Sequence, residues 1–228
     1  MERRRLRLVL VLLSCALAAA PAWAQVDTEL AERYFAEANQ LCGEEAGRLW
    51  DISLCGPMVF ADAISGTVAT SQPTPDAPQP RLLGIVNAPV RWGDQRWSAY
   101  VWGMIPADDQ RARGRLLIHE LFHRVQADLD LMVMGRLNTH LDELDGRYWV
   151  RLEWRALARA LESEGPARQQ AASDALAFRL SRRLRFPEGA EGERADELRE
   201  GLAQYTGTVV AATSRDAAIS DAVTQLRD

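Results

Sequence analysis

Leu116-Leu117-Ile118-His119-Glu120-Leu121-Phe122-His123-Arg124-Val125, residues 116–125, carries two histidines four positions apart with a glutamate directly after the first. Across 111–131 the apolar residues Leu116, Leu117, Leu121, Phe122 and Val125 recur at helical spacing, so the segment predicts an amphipathic helix. Positions i and i+4 of a helix share a face, one turn apart, and both imidazoles can then reach one ion. Zinc accepts neutral imidazole nitrogen at about 2.0–2.1 Å and takes four ligands, one of them open to solvent or substrate in a reactive site. Glu120 stands beside that open position, where a carboxylate can accept a proton from zinc-bound water. The chain has three histidines in all, and two of them are here. The plain alternative is a helix with two incidental histidines.

Working toward the C-terminus, a third ligand is needed. A third histidine six residues beyond His123, preceded by a glycine at 126, is one known solution, but Gln126 and Leu129 occupy those positions. His140 is a poorly placed candidate just outside a helix start. Carboxylates suit better: Glu200, in Glu200-Gly201-Leu202-Ala203-Gln204-Tyr205 on a predicted helix, with Glu153, in Arg151-Leu152-Glu153-Trp154-Arg155, as its rival. The arginines flanking Glu153 also suit a structural ion pair.

Those two segments together resemble the gluzincin-type HExxH zinc metallopeptidases, over roughly Trp97 to Tyr205, with the HExxH half the more specific. The resemblance implies a zincin-like fold, Zn2+ as cofactor, His119, His123 and Glu200 as metal ligands, Glu120 as general base, and a peptide or protein as substrate. It also implies that a strand before the HExxH helix binds extended substrate. One departure concerns the metal's surroundings. The family commonly has an acidic residue four positions after the ligand Glu, to orient a ligand His, and this chain has Gln204, which can accept the same hydrogen bond without the charge.

The remaining sequence frames this centre. Arg3, Arg4, Arg5 and Arg7, an apolar run from Leu8 to Ala20, and Ala22-Trp23-Ala24 read as a signal peptide over 1–24, with one domain over 25–228. A competing reading takes Leu12-Leu13-Ser14-Cys15 as a lipoprotein box anchored through Cys15. Either way the expected location is periplasmic or secreted. No later stretch approaches the roughly 20 apolar residues of a transmembrane helix. The net charge is −5, and removal of 1–24, with four Arg and one Glu, leaves −8. That balance argues against nucleic acid as a partner, since phosphate binding needs a basic face. Cys42 and Cys55 then form an even pair in an oxidising compartment, for which a disulfide is expected.

Along the chain the order is helix, strands, then helices, which predicts α+β, a small N-terminal sheet packed on a mainly helical domain. The first helix spans 28–41. Strands are expected at 58–60, 67–69, 82–86 and 97–102, with a proline-rich loop at 72–80. Helices are expected at 111–131, from a Thr139 N-cap to about 163, and over 167–185, 193–206 and 214–227. In the last strand, Trp97, Ala99 and Val101 alternate with Ser98, Tyr100 and Trp102. As an edge, this strand could add a substrate peptide; as an ordinary sheet strand, it packs its aromatics. Trp149 and Trp154 read as core. Tyr205, His140 and Tyr148 are each candidates to stabilise a developing oxyanion. Two other functions stay open at this point: a non-catalytic zinc-binding envelope protein, and a metallohydrolase acting on a non-peptide amide.

Overall fold

The computed structural model describes residues 25–228; the expected signal peptide and Cys15 lie outside the described residues. The architecture is α+β, with a four-stranded sheet and seven α-helices among the described residues. Helix α1 spans Thr28–Glu45, begun by the Asp27 side chain accepting from the Leu30 amide. Strands β1 (Met58–Ala61), β2 (Val68–Thr70), β3 (Ala88–Trp92) and β4 (Gln95–Val101) follow. The HExxH helix, α2, is Gln110–Gln126, capped by Asp109, and α3 (Leu144–Glu162) and α4 (Gly165–Arg185) form a hairpin. Helix α5 (Gly189–Asp196) runs through one π-helical turn, Glu197–Gly201, into α6 (Leu202–Val210), and α7 (Arg215–Arg227) closes the chain.

The sheet order is β2-β1-β4-β3, with β1 and β4 parallel and the other pairs antiparallel. Strand β4 therefore lies inside the sheet, paired on one side with Ala88–Trp92 and on the other with Met58–Ala61. At Ser98 and Ala99 its backbone is paired on both sides, so it is an inner strand and not the sheet edge, which corrects the edge reading. The alternation along it holds. Trp97 and Ala99 pack with Val59, Val90 and Trp92 on one face, while Tyr100 joins the main core on the other. From that inner face the Tyr100 hydroxyl donates to the Leu117 carbonyl (2.7 Å) and Ser98 Oγ donates to the Glu120 carbonyl (3.1 Å). Two side chains of the sheet thus fix the height and rotation of the HExxH helix.

Burial reinforces this docking. Leu117, Ile118, Leu121, Phe122 and Val125 of α2 are buried against Phe60, Tyr100 and α1, each contributing about 1.5–3 kcal/mol by leaving water. Cys42 and Cys55 form the expected disulfide, with Cα atoms 5.3 Å apart. Arg124 of α2 donates to the carbonyls of Leu54 and Cys55 (3.2 and 2.8 Å), so the cross-linked loop is tied to the same helix.

Several local expectations change. Residues 82–86 form turns and not a strand, with Leu82 and Ile85 exposed; Gly84 adopts φ +74, and Pro80 precedes the run. The strand there is β3, which the pattern hid because Pro89 interrupts it, a residue an edge strand tolerates. Thr139 starts a short 3-10 turn (Thr139–Asp142) and caps nothing; α3 begins after Glu143. The expected break between α3 and α4 falls at 163–164, and Pro166 sits in the first turn of α4, where its missing N–H costs nothing. Trp154 is not core: it is 42% exposed.

Candidate metal centre

The α2–α6 crossing brings the two halves of the motif together. Gly207 makes it close: a Cβ there would meet the Arg115 carbonyl oxygen at 2.5 Å. Trp50 adds a clasp, its Nε1 donating to Thr206 Oγ1 (3.0 Å) while its ring packs on Phe122. Glu200 leads into α6 from the π-helical turn, where the Leu202 N–H bonds back to the Glu197 carbonyl five residues earlier. Such single-turn widenings occur often at functional sites, because they rotate one side chain off the helical register.

The result is a tight triangle of donor atoms. His119 Nε2 and His123 Nε2 are 3.0 Å apart, and Glu200 Oε2 lies 3.5 Å from the first and 3.3 Å from the second. Ligands about 2.05 Å from a tetrahedral ion are separated by about 3.3 Å. The observed edges bracket that value, so the donor set fits a zinc-sized cation. Arg199 Nε stands 3.2 Å from the other carboxylate oxygen, Oε1, which leaves Oε2 facing the histidines.

Gln126, which sequence reasoning met only as a position lacking glycine, organises the centre. It is fully buried. Its amide nitrogen donates to the carbonyls of Leu198 and Arg199 (both 2.9 Å), so its oxygen must be the atom 2.9 Å from His123 Nδ1. An amide oxygen only accepts. His123 therefore carries its proton at Nδ1, and in the neutral ring the Nε2 lone pair points into the triangle. Burial, with His123 alongside, pushes His119 down to about 4 against the upward pull of Glu200 and Gln204, so this ring is neutral near pH 7. The Gln204 amide nitrogen donates to Gln225, leaving its oxygen as the acceptor.

Glu120 is 5% exposed, and its Oε2 is buried without a hydrogen-bond partner among the described residues. Burial, and then the charge of Glu200, pushes its carboxyl up to about 8. A buried carboxylate oxygen without a donor is costly and points to a missing positive or proton-donating neighbour.

The other sequence candidates lie elsewhere. Glu153 is buried in ion pairs with Arg179 (2.7 Å) and Arg182 (2.5 Å), so it is a structural carboxylate. His140 is buried with its Nε2 2.8 Å from Glu193, itself bound to Arg182, and serves the joint between α4 and α5. Tyr148 is exposed on α3. Tyr205 is half exposed and lines a cavity of about 1010 Å³ that begins at Gly201 and includes Gln204, the neighbour of His119. Searches for related proteins found no protein family, curated protein or solved structure that matches this chain.

Proposed function

We propose that this chain is an exported, zincin-like metallopeptidase of the gluzincin type. His119, His123 and Glu200 hold Zn2+, and Glu120 is the proton-transfer group in hydrolysis of peptide bonds. The carrying observation is the triangle of 3.0, 3.3 and 3.5 Å set beside a buried, unpartnered carboxylate. A zinc ion held there supplies Lewis acidity, polarising an amide carbonyl and making water acidic near neutral pH. Gln126 turns the Nε2 edge of His123 inward, and burial keeps His119 neutral, so that ring offers its nitrogen without first losing a proton. With the charge of a bound cation beside it, Glu120 would be held ionised against its burial, and its Oε2 would take the proton of the attacking water as the new C–O bond forms. It then returns that proton to the amide nitrogen as the C–N bond breaks.

One further feature agrees with an exported protein: the cross-linked Cys42–Cys55 pair. A module that only binds metal gains nothing from Glu120, whose burial it would have to sustain.

The test is digestion of an unbiased peptide library by wild-type protein and Glu120→Gln, with and without chelator. Chelator-sensitive cleavage by the wild type should fall at least a hundredfold in Glu120→Gln while zinc per chain stays near one. Equal cleavage by both would end the catalytic reading; zinc with no cleavage by either would leave a non-catalytic zinc protein.

A further inference from the structure

The helical segment that presents Glu200 has a second face. From Gly201 to Ala212 one flank of it walls the cavity of about 1010 Å³, a run of about 16 Å at the helical rise per residue. Helix α7 forms the facing wall through Ile219, Ala222 and Leu226, and Trp154 and Leu161 of α3 stand at the side. Trp154 is 42% and Tyr205 51% exposed, so two large rings meet solvent here with no protein packed over them. A lone apolar surface residue needs no explanation, but a contiguous apolar cavity of this size does.

Its charges select the occupant. The lining has no Asp or Glu but two guanidinium groups, Arg48 and Arg215. Both stand at the C-terminal end of α6: Arg48 also meets Val209 and Ala212 in an adjoining small cavity, and Arg215 follows Ala212 by three residues. Neither forms an ion pair among the described residues. Arg48 Nε donates to the Glu45 carbonyl, while the carboxylate of Glu45 is occupied by the amides of Gly47 and Leu49 (2.8 and 2.7 Å). Glu44, which lines the adjoining small cavity with Arg48, accepts from Gln40. An apolar trough with two guanidinium groups at one end, outside any ion pair among the described residues, suits a ligand with a long apolar body and one anionic head. Helices α3, α6 and α7 offer backbone groups already paired within each helix, and Gln204, Gln225 and Thr208 bond to one another, so away from the 212–214 loop a peptide laid there would bury N–H and C=O groups with few partners. An alkyl chain has none to satisfy.

We propose that this cavity binds a long-chain carboxylate. The alkyl body lies between α6 and α7, and the carboxylate is held by Arg48 and Arg215. The cavity adjoins the metal centre through Gln204, but the binding argued here does not depend on how that centre functions.

The test is calorimetric titration of the delipidated full mature chain with dodecanoate, below its micelle concentration, beside dodecan-1-ol and an octanoate–decanoate–dodecanoate series. One dodecanoate should bind per chain, at least tenfold tighter than the alcohol, with affinity rising about fourfold per added methylene. The pair Arg48→Gln and Arg215→Gln should remove the acid's advantage and leave the alcohol unchanged. Ala222→Trp should fill the trough and abolish binding with helical circular dichroism and zinc content retained. If that variant misfolds, the wild-type acid–alcohol comparison still decides. Absence of saturable dodecanoate binding, or equal binding of acid and alcohol, overturns the proposal. So does displacement of dodecanoate from the trough only by apolar tripeptides that themselves bind tighter, which would make it a peptide site.

Discussion

His123 and Gln126 sit one turn apart on α2 with Nδ1 and Oε1 2.9 Å from each other, and the same Gln126 amide holds the carbonyls of Leu198 and Arg199 beside Glu200. One side chain thus sets the tautomer of one proposed ligand and the position of the turn that carries another. Replacing it by Leu keeps the volume and deletes every one of these bonds. Zinc affinity, read by competition with a chromophoric chelator, should weaken by about 10- to 100-fold, the usual cost of losing an outer-shell partner. Unchanged affinity would show that the bond is incidental to metal binding.

Glu200 and Glu153 should behave oppositely. Glu153 is buried and paired with Arg179 and Arg182, so Glu153→Ala leaves Arg182 with Glu193 as its remaining carboxylate and one buried N–H donor unmet, and should cost about 1–3 kcal/mol in urea unfolding. The folded fraction should still bind one zinc. Glu200 is half exposed, so Glu200→Ala should leave the stability of metal-free protein within about 0.5 kcal/mol and strip the zinc. Elemental analysis beside the unfolding curves separates them, and zinc retained in Glu200→Ala would defeat the ligand assignment.

The metal-free protein should lose stability as pH rises from about 6.5 to about 8. Glu120, raised to about 8, binds a proton in the folded state that the unfolded chain releases near 4.5, so its effect falls through that whole interval. His119, lowered to about 4, works the other way between about 4 and 6.5, where the unfolded chain holds the extra proton, and offsets Glu120 there. Only Glu120 acts above 6.5. Thermal melts of chelated protein across pH 5–9 check the sign, and the slope above 6.5 should vanish in Glu120→Gln.

Gly207 is where α6 approaches α2 most demandingly. In Gly207→Ala the new methyl meets the Arg115 carbonyl, so the helices must part or the backbone shift, at about 1–3 kcal/mol. Glu200 moves with α6, so zinc affinity should fall too. Gly201→Ala is the control: its nearest neighbour would be 4.0 Å away, so it should be neutral or stabilising by up to about 1 kcal/mol. Equal loss in both would point to helix propensity or flexibility as the cause.

The shared face of His119 and His123 was legible in residues 119–123, because the helical period alone sets it. The α+β order, the α2 helix and the Cys42–Cys55 bridge were legible for the same reason: each depends on spacing within a short segment or on counting a rare residue. Strand β3 was not. Its membership depends on pairing with β4, and Pro89 breaks the local pattern that would have revealed it.

What remained for tertiary structure was every relation across long separations. Glu200 and Glu153 are both carboxylates on helices, and the sequence could weigh them but not locate them. Packing decided: the close Gly207 crossing delivers Glu200 to the histidines, and Arg179 and Arg182 claim Glu153. It also placed β4 inside the sheet and left Trp154 on a cavity wall in place of the core. A helix's period fixes which residues share its face; what that face meets is set by how neighbouring elements bury their apolar surface, and that no single segment encodes.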